Sequence, residues 1–214
     1  MLEFAVHAAG PCAIRYPKGT AYQGLEKFDS PIRFGKSEVL YRGEKTALLS
    51  VGSMTEVCEQ VCKELKNKGE NPTFVNARFV KPLDTELLDE LAKDHKLFVT
   101  VEENVRNGGF GEHVAAYMEA CHPEVRVLPI AIWNRFVEHG EIASLRAKIG
   151  LSAPDILDAI EEYEEQEVKK RTGSFDGRAC TCTSREKAKH ILCPEMFMWT
   201  DRKKIKREQC SRRR

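Results

Sequence analysis

The sequence predicts a three-layer α/β fold, a mostly parallel sheet with helices on both faces, followed by a disordered basic tail. Three observations carry this reading. Short apolar runs alternate with segments of helical period. The apolar runs are nearly continuous, which marks strands buried on both faces of a parallel sheet. The charge divides the chain: residues 1–168 hold 19 basic and 28 acidic residues, whereas residues 169–214 hold 15 basic and 5 acidic.

The elements follow in order. MLEFAVHAAG (1–10) reads as the end of a helix, and GPCAIRYPKG (10–19) as a strand that exits through Pro and Gly. Residues 1–22 stand apart from the later alternation and read as the last piece of a different domain. Residues 23–43 read as a linker, with an edge strand at SEVLYRG. TALLSVGS (46–53) is a buried strand feeding a turn. Residues 54–68 space Val57, Val61 and Leu65 four apart, a helix that stops at Gly69. TFVNARFV (73–80) is the next strand. PLDTELLDELAKDH (82–95) is a helix with Asp84 as N-cap and Leu87, Leu88 and Leu91 facing inward. LFVTVEE (97–103) and VRVLPIAI (125–132) are strands on either side of a helix within residues 107–122. Two helices, at 141–150 and 152–170, close the body, the second capped by Ser152 with Pro154 in its first turn.

Composition narrows the function classes. Apolar residues make up 42% and charged residues 31%, as in an ordinary globular chain. No apolar run is long enough to span a membrane, and the N-terminus lacks a signal-peptide pattern, so a cytoplasmic location is expected. Eight cysteines are present, but Cys12, Cys58, Cys62 and Cys121 are widely spaced, which favours reduced thiols. The acidic body gives no electrostatic case for nucleic-acid binding.

The strand ends hold the unusual residues, and in parallel sheets ligands gather at those ends. In RYPKG, Arg15 offers a planar fork that suits a phosphate, although an ion pair between domains is the plainer alternative. NARFVKPLD sets Arg78 and Lys81 around a strand end, as solvated or interdomain charges. In VEENVRNGGFGEH, Glu102 and Glu103 point to opposite faces of a strand and form no catalytic dyad. The glycines that follow suit either a tight structural turn or an anion held by backbone amides. In FVEHG, His139 suits a general base or an interface hydrogen bond. No metal-binding cluster, serine elbow or Walker loop stands in the body.

Taken in order, GPCAIRYPKG, TALLSVGSM, VNARFVKPLD, VTVEENVRNGGFG, RFVEHG and IGLSAPDI closely resemble the C-terminal part of the 1-deoxy-D-xylulose-5-phosphate synthase family. Single motifs are shared with transketolases and the β-subunits of 2-oxoacid dehydrogenases, which stay open as alternatives. The resemblance covers residues 1 to about 168 and implies a transketolase C-terminal-like fold over residues 44–168, with 1–22 ending a pyrimidine-binding domain. It implies an enzyme, a homodimer, that uses thiamine diphosphate and Mg²⁺ to join pyruvate and D-glyceraldehyde 3-phosphate. It assigns Arg15 to the aldehyde's phosphate. It leaves Lys18, Arg78, Lys81, Glu102, Glu103 and His139 at the active-site mouth or at domain and subunit interfaces. The family's metal and diphosphate motif and its cofactor-activating glutamate are absent here. The chain is therefore expected to be a fragment that is inactive alone and binds neither cofactor.

The tail, 169–214, admits three readings. Cys180, Cys182, His190 and Cys193 could form a metal site, but a one-residue gap between paired cysteines fits zinc poorly. KKIKREQCSRRR could be a basic arm for RNA or another polyanion, which would make the chain a binding module. The favoured reading is a frame error: codons permitted for residues 192–206, shifted in phase, follow the unshifted SREKAK (184–189) in a stretch resembling the RNA-binding module of haemolysin-type ribosomal RNA methyltransferases.

Overall fold

The computed structural model describes residues 1–17, 22–28 and 30–171, with side chains up to residue 169. All of these fall in the unit Met1–Ser174. Lys18, the four candidate metal ligands and all but residues 169–171 of the tail expected to be disordered (169–214) lie outside the described residues; residues 169–171 are helical instead.

Among the described residues, eleven elements run in the order α1 (Leu2–Val6), β1 (Glu38–Tyr41), β2 (Lys45–Ser50), α2 (Met54–Asn67), β3 (Thr73–Asn76), α3 (Thr85–Ala92), β4 (His95–Val105), α4 (Phe110–Cys121), β5 (Arg126–Ile132), α5 (Ile142–Ile149) and α6 (Ala153–Arg171). The strands form one sheet in the order β1-β3-β2-β4-β5. The β2–β3, β2–β4 and β4–β5 pairs are parallel, and β1 joins β3 antiparallel, with Glu38 opposite Asn76. The expected edge strand at 37–43 is thus the one exception to parallel pairing.

Two apolar layers flank this sheet. On one face Leu48, Phe74, Val99 and Val101 pack with Val57, Val61 and Leu65 of α2 and Ile156 and Ile160 of α6. On the other, Leu49, Val75 and Phe98 meet Leu88 and Leu91 of α3 and Val114 and Met118 of α4. Alternate residues of each strand serve opposite faces, so both faces need apolar residues and the strands read as continuous apolar runs. Each fully buried Leu, Ile or Phe side chain contributes on the order of 1.5–3 kcal/mol to this core.

Helix ends follow local chemistry. Asp84 caps α3, accepting from Leu87 N at 3.4 Å, and also accepts from Ser37 N at 2.8 Å. Ser152 and Asp155 satisfy each other at the start of α6: the Ser152 hydroxyl accepts from Asp155 N at 3.5 Å, and the Asp155 carboxylate from Ser152 N at 3.3 Å. Gly150 ends α5 at φ +78°, in the left-handed region that a side chain disfavours.

Three expectations need correction. Residues 11–17 form no strand, since no described strand lies beside them and a ladder needs a partner for its backbone groups. The strand expected over 73–80 ends at Asn76, because the chain turns there, with Arg78 N donating to Asn76 O at 3.0 Å. The helix expected over 82–95 covers Thr85–Ala92: Asp84 caps it, and His95 already belongs to β4. Residues 22–28 pack onto the body, with Phe28 meeting Tyr41 edge-on at 5.5 Å. No described helix is long and apolar enough to cross a membrane.

Candidate functional site

The sheet order sets where a site can form. From β2 the chain passes through α2 to β3 on one side; from β4 it passes through α4 to β5 on the other. Strand order therefore reverses between β2 and β4, and the crevice outside their carboxyl ends is where open α/β sheets receive ligands.

A polar knot spans that crevice. Ser53, just after β2, donates its hydroxyl to Glu103 Oε2 at 2.5 Å. Arg146 of α5 donates to the same carboxylate from Nε (3.4 Å) and Nη2 (3.2 Å). Arg15 donates from Nη2 to the Glu103 carbonyl at 2.6 Å. Partial burial pushes the Glu103 carboxyl up. The hydrogen bonds from Arg146 and Ser53, with the charges of Arg146 and Arg15, outweigh it and hold that carboxyl below its usual range. Ser53 is the N-cap residue of α2, yet its side chain makes no cap hydrogen bond. Such a cap is typically worth about 1 kcal/mol, so the hydroxyl's use on Glu103 is a local sacrifice.

Glu102 faces the other way. It is 2% exposed and receives Gly111 N at 2.8 Å and Phe110 N at 3.0 Å. A buried carboxylate at a helix N-terminus satisfies orphan donors and opposes the helix dipole. Gly108 N goes to the Glu112 carboxylate and Gly109 N to Arg106 O, so the turn's amides are taken within the chain and the turn is structural. Gly111 is required by packing: a Cβ there would stand 2.4 Å from Thr100 Oγ1 and 2.9 Å from Pro129 Cβ.

The remaining candidates scatter along the same end of the sheet. Arg78 pairs with Glu38, Nη2 to Oε2 at 2.5 Å, and donates to Ser30 O at 3.1 Å. Glu38 also receives Ser30 Oγ at 2.5 Å, so this pair ties residues 30–38 to the end of β3. Lys81 is exposed, before a cis peptide bond to Pro82. His139 is exposed in the loop after β5, near Phe136, which is 91% exposed. On the same loop's stem, Arg106 stacks on Trp133 at 4.9 Å.

Of the candidate residues, the structure brings Arg15 and Glu103 together, buries Glu102 under α4 and gives Arg78 to Glu38. Sequence reasoning missed Ser53, Arg146 and Glu38. Ser53 carried a weak signal, a serine just after a strand's carboxyl end; Arg146 carried none. Among the described residues no group of three His, Cys, Asp or Glu could hold a metal ion. With the turn amides occupied by Glu102, Glu112 and Arg106 O, these residues do not fit a Mg²⁺–diphosphate group.

The sequence pattern described as "Transketolase, C-terminal domain" matches residues 35–156. The 1-deoxy-D-xylulose-5-phosphate synthase of Lachnoclostridium phytofermentans is 48% identical over 161 residues, covering 75% of this chain and 26% of that protein. That of Azoarcus sp. is 41% identical over 163 residues, covering 75% and 25%. A solved split gene transketolase, an inactive beta4 tetramer, superposes with a TM-score of 0.56 at 30% identity, covering 63% of this chain and 43% of that one. The chain spans about a quarter of the length of the synthases it matches. The matching pattern, the mostly parallel sheet and its two helical layers place the chain in the transketolase C-terminal domain family.

Proposed function

We propose that this chain is the C-terminal part of a 1-deoxy-D-xylulose-5-phosphate synthase. That enzyme converts pyruvate and D-glyceraldehyde 3-phosphate into 1-deoxy-D-xylulose 5-phosphate and CO₂, for isoprenoid, thiamine and pyridoxal synthesis. The observation that carries the reading is the 48% identity over 161 residues to a synthase of that name. The Arg15 guanidinium at the β2–β4 crevice supports it, since an exposed arginine keeps donors for a phosphate after giving one to Glu103 O. Arg15 binds the aldehyde's phosphate; Lys18, Arg78, Lys81, Glu102, Glu103 and His139 serve packing around the active-site mouth or at interfaces. Thiamine diphosphate and Mg²⁺ sit on other domains of a cytoplasmic homodimer, and the 214-residue chain alone is inactive.

Two experiments test this. Residues 1–168 replace the matching part of the Lachnoclostridium phytofermentans synthase. Turnover within about tenfold of the parent, a barrier change of about 1.4 kcal/mol, is the expected result. A folded chimera without turnover refutes the reading. Calorimetry of the chain alone with thiamine diphosphate and Mg²⁺ should show no saturable heat.

The likeness to a split gene transketolase favours a second reading, in which a separate chain supplies the missing domains. A partner polypeptide of that size, co-purifying with the native protein and restoring turnover, would establish it.

A further inference from the structure

We infer that Glu103, held by Ser53 and Arg146, is a positioning residue that fixes the Arg15 guanidinium for the phosphate of the aldehyde substrate. This rests on the reading of Arg15 given above.

Arg15 lies in a segment without helix or strand, so backbone pairing gives its side chain no order. Its anchor is a carbonyl 88 positions away. A carbonyl can orient a guanidinium only if it is itself fixed, and this one lies where the pairing of β4 is irregular. The β2–β4 pairing ends at Ser50 and Val101, and the β4–β5 register breaks between Val101 and Val105. Glu103 falls in that gap. There its side chain is tied down by Ser53 from the end of β2 and by Arg146 from α5.

Arg146 has a second effect. A free Glu103 carboxylate beside Arg15 would compete with a phosphate for the same donors. The fork of Arg146 occupies that carboxylate from two nitrogens, so Arg15 gives its hydrogen bond to the Glu103 carbonyl and keeps its remaining donors for an anion. Ser53 leaves α2 uncapped to complete the arrangement. The three contacts converge at the point where strand order reverses, the place the fold reserves for ligands.

The test uses the chimeric synthase and compares kcat/KM for D-glyceraldehyde 3-phosphate with that for unphosphorylated D-glyceraldehyde. Misplacement of a binding group by about 1 Å can cost on the order of 100-fold. Arg15→Met should cut the preference for the phosphorylated aldehyde by about 100-fold, and Arg146→Met and Glu103→Gln by about tenfold, mainly through KM. If Arg15→Met cuts the preference and the other two do not, the positioning role is wrong and the phosphate reading stands. If Arg15→Met leaves it unchanged, both fall. Should the chimera not fold, the NMR signal of the Arg15 side-chain Nε–H in this chain decides. It should broaden or exchange faster in Arg146→Met, and an unchanged signal overturns the proposal.

Discussion

The Glu102 carboxylate closes the first turn of α4 by accepting Gly111 N at 2.8 Å across nine positions of sequence. A second oxygen takes Phe110 N at 3.0 Å. The two residues are mutually dependent: the carboxylate needs the amides, and a side chain at 111 would collide with Thr100 beneath it.

Glu102→Gln should therefore destabilise the protein by about 2 kcal/mol, because hydrogen bonds to a charged acceptor are worth about 1.5–3 kcal/mol. Thermal unfolding should show the midpoint falling by roughly 4–8 °C for a domain of this size. An unchanged midpoint would mean that the cap does not hold in solution.

Gly111→Ala should cost about 1–3 kcal/mol through overpacking. Thr100 Oγ1 is buried without a hydrogen-bond partner, so Thr100→Ala sacrifices no bond and opens space for the new methyl. The double variant should be more stable than the sum of the single changes, with a coupling of at least about 0.5 kcal/mol in chemical denaturation. Strict additivity would contradict the contact.

The Glu103 carboxyl is held below its ordinary value of 4.5, so its contribution to stability is full above that pH and disappears as pH falls through the lower folded value. Wild type should lose stability more steeply below pH 4.5 than Glu103→Gln, which has no proton to take up. Parallel urea-midpoint curves for the two proteins from pH 6 to pH 3 would argue against the knot.

Arg78 and Glu38 form an ion pair with side chains only 13% and 6% exposed. Removing one partner strands a buried charge, at a cost of about 3–5 kcal/mol. Arg78→Met should be strongly destabilising, and Glu38→Gln in the same chain should recover part of the loss. A lone Arg78→Met that keeps full stability would point to a role outside the fold.

Cys58 and Cys62 are buried in α2, and burial pushes both thiols up; Cys12 and Cys121 are exposed. In native protein, alkylation followed by peptide mapping should mark Cys12 and Cys121 within minutes and leave Cys58 and Cys62 unmarked. Equal labelling would mean that α2 opens readily.

Much of the fold was legible because its signals are local. The four-residue spacing of Val57, Val61 and Leu65 and the caps at Asp84 and Ser152 each depend on neighbours within one turn. The opposite orientation of Glu102 and Glu103 follows from the strand alone. The knot was not legible: Ser53, Glu103 and Arg146 are 50 and 43 positions apart and follow no period. The partner of Arg78, Glu38, sits in a stretch that reads as linker. For the glycine turn, the sequence allowed an anion or a structural turn; only the reach of Glu102 decides between them. Residues 10–19 have the composition of a strand, but a strand is defined by a neighbour that composition does not show.

The direction of β1 has a wider effect. Because it runs against β3, its first residue, Glu38, lies beside the last residue of β3, Asn76. The residues just before it therefore stand at the pole where β3 finishes: Ser30 reaches Glu38 and Lys36 reaches Asp84. A parallel edge strand would place that stretch a strand's length away. One reversal in chain direction thus brings residues 30–37 to the end of the sheet where Arg15 meets Glu103.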